Sequence, residues 1–470
     1  MTSIIKVDDV QNQPGTNIIN KCGTDITLGQ SGDTIAIASG ATTSGMGRTG
    51  AVDWDTSSIK TATFSAVNGN GYFCNTSGGA FTVNLPAGVA GNIIGIVDYT
   101  NTFQTNALTI SPDGSEKIAG IAADAELSTE GQSATLVYVD STEGWKTVQD
   151  SVTSIEGGAY ITATVSGTCN AITTCGDYKL ATFKNPGTFC VSAGAGPKAM
   201  TDYLVVAGGG GGGSEYNAST AGGAAGGGGF RVQVACLGGP AGPLNGPAQI
   251  PISPGPYSIV AGGGGAYSST PGTGGADGGV STFSTITSAG GGGGGSAIGD
   301  PPAREGGDGG SGGGGSHGNG KGTGNEPPTT PPQGKDGGDS GGTFYLGGGG
   351  GGALVAGSIS SPSGAPGGAG AGLPNVFGTN GQSCGSNYYF SGGGGGGGAS
   401  NRPQTGPAGS GGLGGGAAGG AGGSPAPAAA TAVTGGGGGG GGNYGTSPSG
   451  THYHGSNGGS GVVVIRYKFQ

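Results

Sequence analysis

Paired acidic residues and a histidine pair are the side chains of this sequence whose spacing could support catalysis or metal binding. Asp53 and Asp55 flank Trp54, and two carboxylates held close together can hydrolyse glycosidic bonds. His452 and His454 lie two residues apart, so on a strand they would share a face and could hold a metal ion. No third ligand lies near the histidines in the sequence, and acids beside a tryptophan are usually solvated. We therefore expect no catalytic residue, no metal and no cofactor.

Glycine-rich motifs match phosphate-binding and nucleophile patterns without the context that those sites need. Gly315–Gly322 resembles a P-loop but ends in glycine where Ser or Thr is required. Gly309–Gly313 fits a nucleophile elbow, yet no helix pattern follows it. Asp277 lies in a stretch that only partly matches a calcium-binding β-roll repeat. These matches arise from low complexity, and we expect the protein not to be an enzyme.

The composition disfavours several classes of protein. Glycine supplies 123 of the 470 residues, and only 9% of residues are charged, against roughly 25% in an ordinary protein. The net charge of −10 argues against tracking of nucleic-acid phosphates, which needs clustered Lys and Arg. The first residues lack the apolar core of a signal peptide, and no apolar stretch reaches the roughly 18 residues of a membrane helix. We expect a protein made in the cytoplasm, with neither nucleic-acid binding nor membrane insertion.

Seven cysteines are the remaining reactive side chains. They stand at positions 22, 74, 169, 175, 190, 236 and 384. Their number is odd, their spacing is irregular and no C-x-x-C pair occurs, which disfavours a zinc site or a thioredoxin-like motif. We interpret them as small buried residues or free thiols. One disulfide within the cluster at 169, 175 and 190 is the alternative.

Residues 1–50 are predicted to form short strands with turns between them. Ile26–Leu28 and Thr34–Ile37 alternate apolar and small polar residues. The segment is too thin to bury a core of its own. We expect it to be stable only when it packs against copies of itself or against a neighbour.

Residues 51–150 are predicted to form a β-sandwich domain. Strand-like runs alternate with turn residues, and no helical periodicity is present. We expect Trp54 and Trp145 to close the two ends of its core. The predicted strands are Thr61–Val67, Gly71–Cys74, Ala80–Leu85, Asn92–Tyr99, Ala107–Ser111 and Ala134–Val139.

Residues 151–202 are predicted to be a β connector. Alternation of apolar and polar residues predicts strands at Tyr160–Val165, Tyr178–Phe183 and Thr188–Ser192. After residue 203 the composition changes sharply, so a different kind of structure must begin there.

Residues 203–470, here called the glycine block, contain recurring runs of pure glycine. The ordinary interpretation of such a tract is a flexible linker. The alternative is that each run forms an extended helix with three residues per turn, whose N–H and C=O groups point outward and bond to neighbouring runs. The purity of the runs and the scarcity of charge favour this packed polyglycine sandwich. The apolar strands Tyr203–Ala207 and Val462–Tyr467 bracket the block, and we expect them to lie near each other.

The fold class that follows is mainly β with almost no α-helix. It combines short N-terminal strands, a β-sandwich module and a C-terminal polyglycine-II helix sandwich bracketed by β-strands. The domains are 1–50, 51–150, 151–202 and 203–470.

Short segments with a distinctive sequence are spread along the chain. They are Ile5–Asp8, Gly15–Asn20, Ser31–Ile35, Gly71–Phe73, Val83–Gly88, Leu108–Pro112, Gly114–Ile118, Leu136–Val139, Gly144–Trp145, Tyr203–Gly211 and Gly459–Tyr467. Together these segments resemble tail-fibre proteins of marine tailed bacteriophages. The glycine block is also similar in composition to phage tip adhesins that carry a polyglycine sandwich.

The resemblance implies a virion tail-fibre subunit that attaches the phage to its bacterial host. It implies a homotrimer, whose N-terminus joins tail or baseplate proteins, and a receptor that is an outer-membrane protein or a polysaccharide. Aromatic residues and histidines in the connectors between runs are the expected receptor contacts. These are Tyr216, Tyr267, Tyr345, Tyr388, Tyr389, Phe390, Tyr444, His452, Tyr453 and His454.

Two other functions stay open from the sequence. A purely architectural virion protein, such as a capsid decoration or a tail sleeve, would need no receptor. An ice-binding protein is a further alternative, because small polyglycine bundles can present flat faces to ice. The β modules ahead of the glycine block argue against this last function.

Overall fold

The computed structural model describes residues 9–11, 17–22, 25–28, 52–150, 157–215, 220–235, 237, 240–270, 272–296, 305–318, 320–341, 346–360, 362–399, 406–422, 426–443 and 453–470. The chain divides into two compact units, Met1–Asp53 and Trp54–Gln470. In the first unit, β1 (Asp9–Gln11), β2 (Asn17–Cys22) and β3 (Asp25–Leu28) form an antiparallel sheet. The predicted strand Ile26–Leu28 lies in β3, and Thr34–Ile37 lies outside the described residues.

The second unit begins with a β-sandwich, as the sequence predicts. One sheet has the order β12-β11-β8-β6-β4 and the other the order β10-β9-β7-β5. The strands are β4 (Asp53–Lys60), β5 (Phe64–Ser65), β6 (Asn70–Cys74), β7 (Thr82–Asn84), β8 (Ile93–Asp98), β9 (Leu108–Ser111), β10 (Ala125–Leu127), β11 (Ser133–Asp140) and β12 (Gly144–Asp150). Alternate residues of both sheets fill one apolar core between them.

The two tryptophans of this module have different environments. Trp145 is fully buried in the core, as predicted. Trp54 is 38% exposed, so its predicted core position is wrong. It lies on the edge strand β4 and packs on Phe73, with ring centroids 5.4 Å apart. Because Phe73 alternates with the core residues Tyr72 and Cys74, this aromatic pair lies on the outer face of the sheet.

Five cysteines whose side chains the structure describes are free thiols. Cys74 is buried in the sandwich core, and burial raises its pKa to about 12. Cys169, Cys175 and Cys190 are exposed and unpaired, so the alternative of a disulfide in this cluster is not realised. Cys384 is likewise exposed, so the prediction of buried residues holds for Cys74 and the prediction of free thiols holds for all of these.

Three further sheets are formed by strands after residue 158. Their orders are β13-β16-β20-β21-β22, then β14-β15-β26-β17-β18 with β19 beside β17, then β23-β25-β24. The strands are β13 (Ala159–Val165), β14 (Ala171–Cys175), β15 (Tyr178–Phe183), β16 (Gly187–Ala195), β17 (Met200–Val206), β18 (Phe230–Gln233), β19 (Ile250–Pro251), β20 (Gly255–Val260), β21 (Ser281–Phe283), β22 (Ile286–Ser288), β23 (Ala371–Leu373), β24 (Gln382–Cys384), β25 (Asn387–Phe390) and β26 (Val462–Lys468).

The segment 151–202 is more than a connector in the structure. Its strand β15 pairs with β26, and its strand β16 pairs with β20, so it supplies strands to two sheets of the glycine block.

The helical content matches the expectation. The described residues contain no α-helix, only the 3₁₀ turns η1 (Gly196–Lys198) and η2 (Gly242–Leu244).

The sheet around β26 is buried on both faces. Val462 and Val464 enter one apolar core, whereas Val463 and Ile465 enter another. Strand residues alternate between faces, so a continuous apolar run such as Val462–Ile465 is the pattern of a strand covered on both sides. The predicted neighbours are paired: β17 and β26 form a long antiparallel ladder.

The glycine runs form the packed polyglycine sandwich, and run 208–213 shows its geometry best. Its N–H groups point to three neighbours in turn, and the directions repeat after three residues, as an extended three-residue helix requires. The bonds are Gly208 to Gly279, Gly209 to Gly459, Gly210 to Gly226, Gly211 to Ala276, Gly212 to Ser456 and Gly213 to Gly223, all between 2.8 and 3.0 Å.

Carbonyl groups of the same run accept bonds from three other neighbours. Gly208 and Gly211 accept from the run at 289–296, Gly209 accepts from Gly265, and Gly210 and Gly213 accept from the run at 434–443. Run 208–213 therefore has six neighbours, and all six of its N–H groups bond to backbone carbonyls without water or side chains. Runs 222–229, 347–352 and 392–398 are also bonded to runs on all sides and are fully buried.

This packing explains why the central runs are pure glycine. A Cβ atom added at Gly212 would overlap the carbonyl of Gly439, and one added at Gly209 would overlap that of Gly436. The outer run 406–412 has neighbours on one side only, so Gly406, Gly409 and Gly412 are buried while Pro407 and Ser410 are exposed. Proline is tolerated on this outward face because it has no N–H and its fixed φ suits an extended helix.

Candidate functional site

The candidate site lies at one end of the glycine bundle. Run 208–213 leaves β17, and run 222–229 returns to β18, so both are anchored in the same sheet. At the far end of these runs, Gly222 bonds to Gly441 and accepts from Gly397, and Gly223 bonds to Gly295. We call this end, remote from the strands, the tip.

Three of the predicted contact residues meet at the tip. The rings of Tyr267 and His454 stack, with centroids 5.6 Å apart and an interplanar angle of 27°. The backbone N–H of Tyr267 donates to Oδ1 of Asn457 at 3.0 Å. Tyr267 is 38% exposed, and His454 is half-buried beneath it. The stack therefore presents an aromatic face that the hydrogen bond from Tyr267 to Asn457 ties to the adjoining run.

Tyr453 joins the same surface through a carboxylate. Glu215 is 2% exposed, and its Oε1 accepts from the N–H of Tyr453 at 3.1 Å. The N–H of Glu215 donates back to the carbonyl of Tyr453 at 3.2 Å. Ser214 donates its hydroxyl to the carbonyl of Thr270 at 3.3 Å, which ties the connector after Tyr267 to the end of run 208–213. These bonds fix three chain segments against one another.

Four predicted contact residues lie outside the described residues: Tyr216, Tyr345, Tyr444 and His452. Their described neighbours in the sequence are Glu215, Leu346, Asn443 and Tyr453. All four neighbours stand at tip ends of glycine runs. The prediction for these four residues stays a prediction.

The remaining three predicted contact residues lie at the strand end of the bundle. Tyr388, Tyr389 and Phe390 belong to β25, which pairs with β23. Phe390 is buried, and its ring packs 6.4 Å from that of Phe230 in an apolar core. Tyr388 is half-buried against the same core. The structure thus gives this triplet a packing position, remote from Tyr267 and His454.

Sequence reasoning missed Glu215, Thr270 and Asn457 as parts of the tip. Glu215 and Tyr453 are far apart in the chain, and no local pattern links them. The sequence did carry one usable signal, because Glu215 and Asn457 each stand within two residues of a glycine run.

The acidic residues singled out by spacing have structural partners. Asp55 pairs with Lys60 at 3.2 Å, and hydrogen bonds from the Ser57 hydroxyl and from Lys60 hold the pKa of Asp55 below its usual value. Asp277 accepts from the N–H of Gly293 at 2.8 Å, where the run at 289–296 lacks a carbonyl neighbour. The Asp277 carboxylate takes the place of the backbone carbonyl that a further glycine run would have supplied to Gly293.

Asp336, on the side of the bundle, also uses its carboxylate to accept a hydrogen bond from a backbone N–H group of a glycine. The N–H of Gly324 donates to its carboxylate at 2.9 Å, and Lys321 pairs with it at 3.1 Å. The hydrogen bond from Gly324 is the main cause of the lowered pKa of Asp336, and Lys321 lowers this pKa further. Within the described part of the chain, no group of three or more His, Cys, Asp or Glu is placed to hold a metal ion.

The comparisons with known proteins bear on the bundle that carries the tip. A family model described as a glycine-rich domain matches residues 182–468. The chain belongs to the glycine-rich domain family. The match begins within β15 and ends at the last residue of β26, so the glycine-rich domain includes the paired strands that close the bundle. No curated protein matches the chain. Among the described residues, no helix has the length and apolar character to cross a membrane.

Proposed function

We propose that this protein is a tail-fibre subunit of a tailed bacteriophage, with the glycine-rich domain as a rigid distal head whose tip contacts the bacterial surface. The observation that supports the proposal most is the hydrogen-bond pattern of run 208–213, which has six bonded neighbours. A block bonded in this way holds its tip residues in fixed positions. Fixed contact residues lose little conformational freedom on binding, which favours affinity.

The composition of the tip suits a contact surface. The stacked Tyr267 and His454 offer a broad, stiff aromatic face, and the exposed residues Thr270 and Asn457 add hydrogen-bonding groups beside it. Tyrosine with small polar residues is a general-purpose combination for molecular contacts. We propose that the receptor is an outer-membrane protein or a polysaccharide.

The first unit and the oligomer complete the proposal. The first unit contains a three-stranded sheet of short strands, and a segment of this size buries little apolar surface of its own. This fits a segment that joins sister chains and the tail or baseplate. We propose a homotrimer in the virion.

The experiment is competition between the purified full-length protein and phage particles for adsorption to the host. We expect the wild-type protein to slow adsorption, and the double variant Tyr267→Ala/His454→Ala to lose most of this inhibition without a change in melting temperature. Tyr99→Ala is the matched control, because Tyr99 is also an exposed aromatic residue but lies in the β-sandwich. Failure of the wild-type protein to inhibit, while antibodies locate it on the virion, would favour the architectural role instead.

A further inference from the structure

A polar cleft lies at one end of the sheet that contains β15, β26 and β17. This end is remote from the glycine runs. The floor of the cleft comes from residues that face each other across the strands: Tyr178 is opposite Lys468, and Asp202 is opposite Arg466. Lys468 and Arg466 are two residues apart on β26 and therefore share a face. The cleft encloses about 290 Å³. This volume is at the low end for small-molecule sites and suits one ring-sized unit.

One half of the cleft is electrically balanced. Asp202 is 2% exposed and pairs with the guanidinium of Arg466. The second carboxylate oxygen of Asp202 accepts from Nε2 of Gln249 at 2.9 Å. The guanidinium carbon of Arg466 lies 3.4 Å from the ring centroid of Tyr178. A buried carboxylate, a guanidinium and an aromatic ring are thus fixed in one rigid group.

The other half of the cleft carries an uncompensated positive charge. The ammonium groups of Lys198 and Lys468 both lie near the ring of Tyr160, at 4.8 and 5.6 Å from its centroid. Lys198 pairs with Glu126 at 2.7 Å. Within the described residues, no carboxylate lies within ion-pairing distance of Lys468. Two cations held beside one ring, with a carboxylate paired to only one of them, leave a place for a second anionic group.

We propose that this cleft binds a sugar ring that carries a carboxylate, such as a uronic acid unit. The carboxylate pairs with Lys468 and Lys198, since charge-assisted hydrogen bonds are the strongest available to it. The rings of Tyr160 and Tyr178 contact the apolar C–H groups of the sugar, and the partly exposed Gln249 lies within the same lining for its hydroxyl groups. In a protein of net charge −10, this positively charged cleft favours an anionic over a neutral sugar.

The cleft is independent of the tip. Strand β17 runs from the cleft to the glycine bundle over roughly 20 Å, at about 3.3 Å per residue. Run 208–213 adds roughly 20 Å more to the tip, at about 3.1 Å per residue. The Tyr267→Ala/His454→Ala variant should therefore bind the acidic sugar as the wild-type protein does, so that the two proposals fail separately.

The test is titration of the full-length protein with the methyl glycoside of glucuronic acid, followed by calorimetry or ligand-detected NMR. We expect binding that weakens as salt is raised and that Lys468→Gln weakens about tenfold, the effect of losing one charge-assisted bond. Tyr160→Ala should weaken it to a similar degree. Methyl glucoside, which lacks the carboxylate, should bind at least about tenfold more weakly.

Lys179→Gln is the matched control. Lys179 neighbours Tyr178 on β15 but lies on the opposite face, with its ammonium group 4.7 Å from the ring centroid of Phe469. The Lys179→Gln substitution removes the same charge at nearly the same place, and we expect it to leave binding of the glucuronoside unchanged. Equal binding of glucuronoside and glucoside, equal binding of acetate and glucuronoside, or equal losses from Lys179→Gln and Lys468→Gln would each overturn the proposal. Absence of binding to the wild-type protein would do the same.

Discussion

Tyr203 and Ile465 stand directly opposite each other in the antiparallel ladder between β17 and β26, and both are buried in the same apolar core. Their strands are the first and the last of the glycine block. The ladder therefore closes the block at its strand end, and β15 and β18 extend the sheet on either side. Because glycine runs bury almost no apolar surface, the two cores that flank this ladder supply the hydrophobic stabilisation of the whole domain.

A charge placed in this ladder should unfold the glycine-rich domain as a unit. Val464 is fully buried between β15 and β17, and Val464→Asp would bury a carboxylate that has no partner. We expect glycine runs in this variant to become sensitive to protease. The β-sandwich at 52–150 has its own core and should survive as a resistant fragment. Limited proteolysis with mass spectrometry measures both. Protection of the glycine runs in Val464→Asp would contradict the closing role of β26.

A methyl group in a central glycine run should cost far more than one on an outer run. Gly212→Ala would drive a Cβ atom into the carbonyl of Gly439. Overpacking of this kind typically costs about 1–3 kcal/mol. Gly263→Ala is the matched control: Gly263 is exposed, and an added Cβ atom meets nothing within 4 Å. We expect Gly263→Ala to change stability by less than about 0.5 kcal/mol. Equal unfolding free energies for the two variants, measured in urea, would count against the packed sandwich.

The sequence predicts the outline of the fold well, for identifiable reasons. Strong apolar alternation located most strands of the β-sandwich, and the apolar run at Val462–Tyr467 predicted the strand that closes the glycine block. The purity of the glycine runs predicted their packing, because a run surrounded on all sides excludes every Cβ atom. These features depend on local patterns that a single sequence displays.

The partners of each glycine run could not be predicted from the sequence. Gly212 bonds to Ser456, yet nothing distinguishes Ser456 from many other small residues, since glycine has no side chain to specify a neighbour. The positions of the predicted contact residues in the bundle could not be predicted for a related reason. Whether a connector lies at the tip or at the strand end depends on the direction of its runs, so Tyr388 and Tyr389 could not be separated from Tyr267 by composition.

Alkaline pH should destabilise the glycine-rich domain through its buried tyrosines. Burial raises the pKa of Tyr467 to about 12, and raises that of Tyr203 as well. An unfolded chain has a tyrosine pKa of about 10. The folded protein therefore keeps a proton on Tyr467 that the unfolded chain loses between about pH 10 and 12. The contribution of Tyr467 to the free energy of unfolding is fully present below about pH 10. It falls by on the order of 2 kcal/mol as the pH rises through about 12.

Tyr467→Phe isolates this effect. The Tyr467 hydroxyl is buried with no hydrogen-bond partner among the described residues, so its removal should change stability at pH 7 by less than about 1 kcal/mol. We expect the variant to lose less stability than the wild-type protein between pH 9.5 and 11.5, in urea titrations followed by circular dichroism. Tyr99→Phe removes a hydroxyl from an exposed tyrosine and should follow the wild-type profile. Parallel profiles for Tyr467→Phe and the wild-type protein would refute the assignment.

Amide hydrogen exchange along the outer run 406–412 should follow a period of three. Gly409 donates to Gly396 and Gly412 to Gly393, both at 2.9 Å, so these amides point into the bundle. Within the described part of the chain, the backbone N–H groups of Ala408 and Ser410 donate to no backbone carbonyl.

We expect the inward amides to exchange roughly a hundredfold or more slowly than those of Ala408 and Ser410, which corresponds to about 3 kcal/mol of opening free energy. Residue-resolved NMR exchange measures this contrast. The central run 208–213 is the control for this contrast, because all six of its amides are bonded and should exchange slowly without periodicity.

A flexible linker would give fast exchange at every position of both runs. A β-sheet would give a period of two, because alternate amides of an edge strand point to solvent. A period of three in the outer run together with uniform protection in the central run is therefore specific to extended glycine helices packed side by side.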